Sequence, residues 1–262
     1  MTPGLELADK LEIARVQGES IFLRDVICAL GVSDHLDFFN RFTRQVLIRQ
    51  LAGREGIVVD AENLQQKVDD WRYRHRLERV EDTEKWLGQR GVLLQDVAKE
   101  AEADRLEYLL SVKISDGEIA PFFVQHKRGF DEADVCWIFV RTESVAEELF
   151  MQIEEGADFY ALARHYSEDE NTRPAGGYLG RLRRNQLPKG ISVRVFALSA
   201  GQVMGPEKVS GGYAIYLLQQ FYAAELTDQV QKEIRKKLFN QWLQHEMHKA
   251  EIAFCWENTR VT

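Results

Sequence analysis

The residues whose types and spacing best suit a chemical function lie between positions 158 and 221 of the 262-residue chain. An acidic turn that ends at Asp169 precedes a Gly-Gly-Tyr-Leu-Gly loop at 176–180, and an apolar segment with Leu187 and Ile191 follows. A carboxylate beside an apolar pocket can orient an amide or set the local field without forming a covalent bond. The chain has no phosphate-binding loop, no GxSxG and no HExxH motif, so we expect neither a metal nor a nucleotide cofactor.

The elements that must hold these residues are short. Apolar residues at helical spacing predict a helix that ends at the acidic turn: Phe159, Leu162, Ala163 and Tyr166. The second apolar segment stops at a Ser-Ala-Gly sequence at 199–201. Strands are predicted around Met204–Val209 and Tyr213–Leu218, with a glycine-rich turn between them. A helix, a loop, an apolar segment and a hairpin therefore follow one another in a fixed order.

This order of elements, together with the GGYLG loop, resembles the parvulin (rotamase) family of peptidyl-prolyl cis-trans isomerases over about residues 134–221. The resemblance implies a domain at 134–222 with a four-stranded, mostly antiparallel sheet wrapped by helices. It also implies an isomerase that acts on exposed X-Pro segments of peptides or unfolded proteins. Such a catalyst needs an apolar socket for the proline ring and a weakly solvated site, because the barrier of about 18–20 kcal/mol arises from lost amide resonance.

The resemblance implies roles for individual residues. Leu179, Leu187 and Ile191 fall on the proline-pocket positions of the family, and Phe196 falls on an aromatic residue packed below the site. Asp169 falls where the family carries an acidic residue or a cysteine at the centre of the site. The alternative is that the pocket residues are ordinary core residues, an interpretation that we favour for Phe196, and that Asp169 only caps its turn.

Two histidine positions of the family depart from the pattern. Most parvulins have facing histidines in the first and last strands of the sheet, and these positions hold Trp137 and Ala214 here. A large ring opposite a methyl group would keep the interior filled. If the histidines mainly support the fold, the chain is still an isomerase. If they tune the polarity of Asp169, it is a weakened enzyme or a non-catalytic pseudo-parvulin that binds peptides.

Basic residues gather around the pocket segment of this otherwise acidic chain. They are Arg181, Arg183, Arg184, Lys189 and Arg194. A basic rim would favour peptides with an acidic or phosphorylated residue near proline. Solvated side chains on a loop and a helix are at least as good an interpretation, so we do not predict a preference for phosphopeptides.

The rest of the chain predicts a mainly helical domain of residues 1–130 that is completed by residues 225–262, which makes the fold class α+β. Periodicity and capping signals predict helices at 33–52, after the N-cap residue Asp60, at 83–89, at 94–112 and after a capping box at 115–118. The apolar stripe of a helix at 226–250 must be covered. We therefore expect this helix to fold back on the N-terminal helices, with a strand at 252–254 beside residues 13–16.

This helical pattern is similar to the chaperone module of SurA- and PrsA-type foldases, in which a helical domain completed by a C-terminal helix carries a parvulin domain. The similarity implies an unfolded protein as the client. SurA and PrsA proteins are exported, whereas the first residues here show no signal peptide. We therefore expect either a cytoplasmic relative or a chain without its leader, and we take the cytoplasm as the default.

Composition also bears on nucleic-acid binding, membrane insertion and the state of the cysteines. The net charge of −8 disfavours nucleic acid as the main partner, because phosphate binding needs a basic surface. The longest apolar run, at 135–140, is too short to cross a bilayer, so no membrane insertion is expected. The three cysteines, Cys28, Cys136 and Cys255, form no CxxC motif and are expected to be reduced and buried. Nothing in the pattern predicts the oligomeric state.

Overall fold

The computed structural model describes residues 10–32 and 37–250 of the chain. This part of the chain groups into two compact units. One unit is Gly117–Ile234, and the other consists of the described residues before and after it. The predicted α+β class is confirmed, because one unit is mainly helical and the other is built on a β-sheet.

The helical unit begins with a β-hairpin. Strands β1 (Glu12–Val16) and β2 (Glu19–Phe22) pair antiparallel, and the turn between them uses Gln17 and Gly18 at positive φ. Helices follow in this order: α1 (Leu23–Val32), α2 (Asp37–Arg54), α3 (Ala61–Arg74), α4 (Val80–Arg90) and α5 (Leu94–Ser115). Asp60 caps α3 as predicted, since its side chain accepts a hydrogen bond from the backbone N–H of Asn63 at 2.8 Å.

The sheet unit is built on an antiparallel sheet with the strand order β4-β3-β6-β5. The strands are β3 (Glu132–Val140), β4 (Tyr178–Arg183), β5 (Val203–Val209) and β6 (Gly212–Tyr222). The helices are α6 (Ile119–His126), α7 (Glu143–Glu154), α8 (Phe159–Tyr166) and α9 (Lys189–Val195). Short 3-10 segments lie at Lys127–Phe130, Arg173–Ala175 and Arg184–Gln186. The last helix, α10 (Asp228–Lys249), begins among residues of this unit and ends among residues grouped with the helical unit.

Helices α2, α5 and α10 form the core of the helical unit. Its buried members are Leu47, Ile48, Leu51, Ala52, Leu106, Leu110, Phe239 and Leu243. Leu106 and Leu110 of α5 are four residues apart, as are Phe239 and Leu243 of α10, so each pair lies on one face of its helix. The last helix therefore returns to the N-terminal helices, as its apolar stripe predicted.

Strands β3 and β6 are buried on both faces, so successive residues enter two different apolar layers. One layer holds Cys136 and Ile138 together with Phe159 of α8. The opposite layer holds Val135 together with Ile191 of α9. This alternation gives the sheet one face that packs on α7 and α8 and another that packs on α9.

The capping box predicted at 115–118 is wrong. Ser115 is the last residue of α5, and its buried hydroxyl donates to the Ser111 carbonyl oxygen at 2.8 Å. Glu118 precedes α6 without a side-chain capping hydrogen bond. An N-cap residue needs an extended backbone, whereas Ser115 is still part of α5, and this helical conformation prevents it from capping the next helix.

The expectation of buried cysteines is confirmed for Cys136 and wrong for Cys28, which is exposed. Helical periodicity explains the exposure, because Val26, Ile27 and Leu30 take the half-buried side of α1 and Cys28 lies on the other. Cys255 and the strand predicted at 252–254 lie outside the described residues. Among the helices that the structure describes, none combines the length and the apolar character that a bilayer crossing requires.

Helix α6 and the first residues of α10 are grouped with the sheet, although the sequence analysis assigned both to the helical domain. Contacts within the sheet unit account for the segment after β6. The Ala224 N–H donates to Asp131 Oδ1 at 3.1 Å, and Arg183 pairs with Glu233 at 2.7 Å. The limits 1–130, 134–222 and 225–262 stay predictions for the domains.

Replacement of Leu110 by alanine is expected to lower the free energy of unfolding by about 2–5 kcal/mol, because Leu110 has no exposed surface and its removal leaves a cavity in the helical core. Val112→Ala on the same helix is the control, since Val112 is 37% exposed and should change stability by about 0.5 kcal/mol or less. Urea unfolding followed by far-ultraviolet circular dichroism measures both changes. Equal losses in the two variants would contradict the assignment of this core.

Candidate functional site

The apolar residues that the sequence analysis assigned to a pocket share one face of the sheet. One cluster contains Trp137, Leu179, Leu187, Ile191, Phe196 and Ala214. Ile191 and Phe196 are each 8% exposed, and Ala214 is fully buried. Leu179, Leu187 and Trp137 are only half-buried. The cluster thus combines a packed base with apolar surface that is still open to a ligand.

Helix α9 is held against this face by its own side chains and by the segment before it. The buried hydroxyl of Ser192 donates to the Arg184 carbonyl oxygen at 2.7 Å. The Arg184 guanidinium lies 4.4 Å from the centroid of the Phe196 ring and pairs with Asp131 at 3.2 Å. These contacts hold the middle of the helix and the residue after its C-terminal end, so the 3-10 segment before the helix helps to set the position of Ile191.

Asp169 lies beside the indole of Trp137. The Trp137 Nε1–H donates to Asp169 Oδ2 at 2.9 Å and to Thr172 Oγ1 at 3.0 Å. The Thr172 hydroxyl donates to the same Asp169 oxygen. The backbone N–H of Asn171 donates to Oδ1 at 3.2 Å, and the Arg173 N–H donates to the Asp169 carbonyl at 2.9 Å. Asp169 therefore closes its own turn and also contacts the pocket cluster through Trp137.

The acidic turn is docked onto strand β3 by its two preceding residues. Ser167 is buried, and its hydroxyl accepts the Phe139 N–H at 3.2 Å. The Glu168 N–H donates to the Phe139 carbonyl at 2.7 Å, and the Glu168 carboxylate accepts the Arg141 N–H at 2.9 Å. The turn therefore extends the hydrogen-bonding pattern of the strand, which fixes the distance from Asp169 to the sheet.

The pKa of the Asp169 carboxyl is lowered in the folded chain. Burial, the largest single influence, would raise it, because a buried carboxylate loses solvation. Hydrogen bonds from Thr172, from Trp137 and from the backbone of Asn171 act in the opposite direction and together outweigh burial. The side chain is therefore ionised at neutral pH and its negative charge is stabilised by fixed donors.

Gly177 is the point at which the GGYLG loop meets strand β3. Its carbonyl accepts the Trp137 N–H at 2.8 Å, and its backbone has φ +84°. A Cβ atom at this position would lie 2.1 Å from the Trp137 carbonyl oxygen. The close approach of the two backbones therefore requires glycine, and it places the loop directly beside the tryptophan.

Trp137 and Ala214 share the pocket face, but they do not lie opposite each other as predicted. The β3–β6 register pairs Trp137 with Tyr216 and Phe139 with Ala214. The Trp137 ring lies 5.6 Å from the Phe139 ring and 6.2 Å from the Tyr216 ring, measured between centroids. The volume at the two histidine positions is therefore filled by an aromatic group of three rings rather than by a ring opposite a methyl group.

The sequence analysis missed Thr172 and Tyr216. Thr172 follows Asp169 by three residues, a spacing at which a hydroxyl reaches the carboxylate within a turn, so a signal was present. Tyr216 follows Ala214 by two residues and so shares its strand face. Tyr216 is 2% exposed, and burial, with a smaller effect of the Glu207 charge, raises the pKa of its hydroxyl to about 12.

The basic residues around the pocket are mostly paired with carboxylates. The pairs are Arg181–Asp134, Arg183–Glu132, Arg183–Glu233, Arg184–Asp131 and Arg194–Glu207. Among the residues that the structure describes, Lys189 has no ion pair. A phosphate group would have to compete with these carboxylates, so the geometry gives no support to a phosphopeptide preference.

The antiparallel four-stranded sheet with helices on both faces, the apolar cluster and the carboxylate beside it form the arrangement that the resemblance to parvulins implied. The family described as Rotamase, the PPIC-type PPIASE domain, matches residues 140–220. The rotamase model therefore covers one domain of the chain, and the residues before 140 and after 220 lie outside the match.

The chain is similar to PrsA foldases beyond the matched domain. It is 31% identical over 134 residues to the foldase protein PrsA of Caldanaerobacter subterraneus subsp. tengcongensis, which covers 51% of this chain and 44% of the relative. It is 28% identical over 185 residues to foldase protein PrsA 3 of Bacillus cereus, which covers 68% of this chain and 63% of the relative. The chain therefore spans about half the length of these curated relatives.

A crystal structure of the peptidylprolyl isomerase PrsA from Bacillus cereus covers 95% of this chain and 95% of its own, with a TM-score of 0.51 and 20% identity. At this level of identity the likeness concerns the fold alone.

The expectation of a cytoplasmic protein is wrong. The relatives are PrsA foldases, which are extracytoplasmic lipoproteins. The expectation depended on the composition of the first residues and on the small number of cysteines. Neither feature of a chain determines the compartment in which its folded domains work.

Gly177→Ala is expected to destabilise the sheet unit by about 2 kcal/mol or more, because the added Cβ meets a backbone oxygen and the residue keeps a positive φ. Gly190→Ala is the matched control, since no atom lies within 4 Å of a Cβ placed on this glycine in α9. Thermal unfolding followed by circular dichroism measures both variants. A midpoint for Gly177→Ala equal to that of the control would show that the close approach is not needed.

The lowered pKa of Asp169 has a consequence for the pH dependence of stability. A depressed pKa stabilises the folded chain above the unfolded value of about 3.9, and this contribution is lost as the pH falls through the folded pKa. Wild type should therefore exceed Asp169→Asn in stability at pH 7, with a difference that shrinks as the pH falls below about 4. Melting temperatures of both proteins between pH 7 and pH 3 test this, and a difference that is constant with pH would refute it.

Proposed function

We propose that the chain is a parvulin-type peptidyl-prolyl cis-trans isomerase that acts on exposed X-Pro segments of peptides or unfolded proteins. The observation that carries the proposal is the shared sheet face of the apolar pocket residues and the carboxylate of Asp169, joined through the indole of Trp137. The rotamase match over residues 140–220 and the resemblance to PrsA foldases support the same assignment.

The half-buried surface of Leu179 and Leu187, above the buried Ile191, suits a proline ring. Burial of such a ring at about 25 cal/mol per Å² of apolar area contributes on the order of 2 kcal/mol, which favours weak binding and rapid release. The twisted imide loses the resonance that makes its planar forms polar, so a poorly solvated apolar wall favours it over either planar form.

The carboxylate of Asp169 acts next to this wall. Its lowered pKa keeps it charged at neutral pH, and the donors of Trp137 and Thr172 hold one of its oxygens in place. A fixed negative charge can orient the N–H groups of a bound peptide without reorganising during the rotation. No covalent intermediate is required, because prolyl isomerisation makes and breaks no covalent bond.

We further propose that the rotamase domain extends over 134–222 and that a helical chaperone domain, 1–130 with 225–262, holds unfolded clients. The relatives are named as foldases, which supports a client of this kind. The net charge of −8 makes nucleic acid an unfavourable partner.

Catalysis is expected to require Ile191. Exchange spectroscopy on a short Ala-Pro peptide with catalytic amounts of protein should show cis–trans cross-peaks with wild type. Ile191→Ala should lower the exchange rate about tenfold, because it removes apolar surface from the proline pocket. Val193→Ala is the control on the same helix, since Val193 is 63% exposed and should leave the rate unchanged.

The same spectra separate catalysis from binding alone. Loss of exchange with Asp169→Ala, while the peptide still binds, would give the carboxylate a direct role. Peptide signals that shift on titration with wild type but never exchange would overturn the isomerase proposal and leave a pseudo-parvulin that binds peptides without catalysis.

A further inference from the structure

The helical unit contains a cavity of about 760 Å³ along one side of helices α3 and α5. Helix α3 contributes Lys67, Asp70, Tyr73 and Arg74 to its wall, and α5 contributes Asp104, Arg105 and Tyr108. Every one of these side chains is polar, charged or aromatic, in contrast to the apolar pocket of the sheet unit. The cavity therefore has the composition of a binding site for a polar ligand rather than of a packing defect.

The positive charges of this wall are incompletely neutralised. Lys67 pairs with Asp70 at 3.5 Å, and Arg74 donates through Nε to the Asp70 carbonyl oxygen at 3.3 Å. Within the described part of the chain, neither Arg74 nor Arg105 forms an ion pair with a carboxylate. The charges of Asp104 and Asp60 act on Arg74 and Arg105 through space, but the wall carries three cationic side chains (Lys67, Arg74 and Arg105) and only two carboxylates (Asp70 and Asp104).

Arg105 provides the most specific observation. Its Nε–H is buried and has no hydrogen-bond partner among the described residues. Its guanidinium lies 5.2 Å from the centroid of the Tyr108 ring, which holds the group in place. A buried donor without an acceptor is costly. Because Arg235 Nε is in the same state outside the cavity, it is the position of the Arg105 side chain in the cavity wall that points to a ligand. The acceptor that a guanidinium prefers is a carboxylate.

The rim of the cavity is aromatic. Tyr73 is 64% exposed and Tyr108 is 50% exposed, so both rings are open to a ligand. The carboxyl of Asp104 also faces the cavity, and its pKa is raised by burial and by the nearby charges of Glu100 and Glu107.

We propose that this cavity binds a carboxylate of a client peptide through Arg105 and Arg74, with an adjacent aromatic side chain of the peptide against Tyr73 and Tyr108. The carboxylate comes either from an acidic side chain or from the C-terminus of the peptide. This inference rests on the proposed role of the helical domain in holding clients. It does not depend on isomerase activity, because the site lies within the helical unit and needs no proline.

Fluorescence anisotropy with labelled, proline-free peptides tests the proposal on the full chain. One peptide carries Glu next to Phe and an amidated C-terminus, a second carries Gln next to Phe with a free C-terminal carboxylate, and a third carries Gln with an amidated C-terminus. The first or the second should bind at least about tenfold more tightly than the third, because a charged hydrogen bond to a guanidinium is lost in the third. The stronger of the two identifies the source of the carboxylate.

Variants locate the binding. Arg105→Gln should weaken binding of the preferred peptide about tenfold, and Tyr73→Ala, a change at an exposed surface, should weaken it without affecting the fold. Arg90→Gln is the control, because Arg90 also lies over an aromatic ring, that of Trp86 at 4.1 Å, but is outside the cavity.

Equal binding of the three peptides would overturn the proposal. So would unchanged affinity in both the Arg105 and the Tyr73 variants, whatever the isomerase assay shows. Isomerase activity without this binding would leave the proposed function standing and remove only the carboxylate site.

Discussion

Strands β3 and β6 are buried on both faces, and the register between them determines which partners Trp137 and Ala214 meet on the pocket face. Because side chains alternate along a strand, a shift of one residue would move Trp137 from the pocket layer into the layer of α8. Asp169 would then lose its indole donor, since the turn that carries it is docked on the backbone of Phe139. The contact between Asp169 and Trp137 therefore requires the observed sheet register, and the loop that contains the carboxylate cannot provide it alone.

The polar centre of the site is built from groups that keep their charge state near neutrality. Tryptophan has a single N–H donor and does not titrate, in contrast to the histidine that the family usually places at this position. Tyr216, with a pKa of about 12, stays protonated, and Asp169 stays ionised because its donors outweigh burial. At the predicted histidine positions, Trp137 therefore provides a donor that does not titrate beside the charge of Asp169, and Ala214 provides no polar group.

The two units differ in how far their arginine side chains are paired with carboxylates. Around the pocket of the sheet unit, arginines pair with carboxylates of their own chain, which leaves the rim nearly neutral. In the helical unit, the cavity between α3 and α5 keeps two guanidinium groups without a carboxylate partner in the described structure. A neutral apolar pocket suits a proline ring, and an unbalanced polar cavity suits an anionic group. The two surfaces therefore fit the two different ligands that are proposed for them.

The sequence by itself determined the features that local physics controls. Helical periodicity located α8 and α10, and Asp60 caps its helix as a short polar side chain does. The GGYLG loop with its neighbours indicated the domain family. The apolar pocket positions were also predictable, because residue type and order along the chain are sufficient to align them with the family. The role of each residue in the site stays a prediction.

Tertiary structure decided the features that depend on contacts between residues far apart in the sequence. The register placed Ala214 opposite Phe139 and Trp137 opposite Tyr216, which alternation within one strand cannot specify. The hydroxyl of Ser115 bonded to its own helix rather than opening the next one, and the basic residues near the pocket found carboxylates far away in sequence. Each of these outcomes depends on which of several competing contacts has the lowest energy in the folded chain. The order of residues along the sequence does not show which partners come within reach.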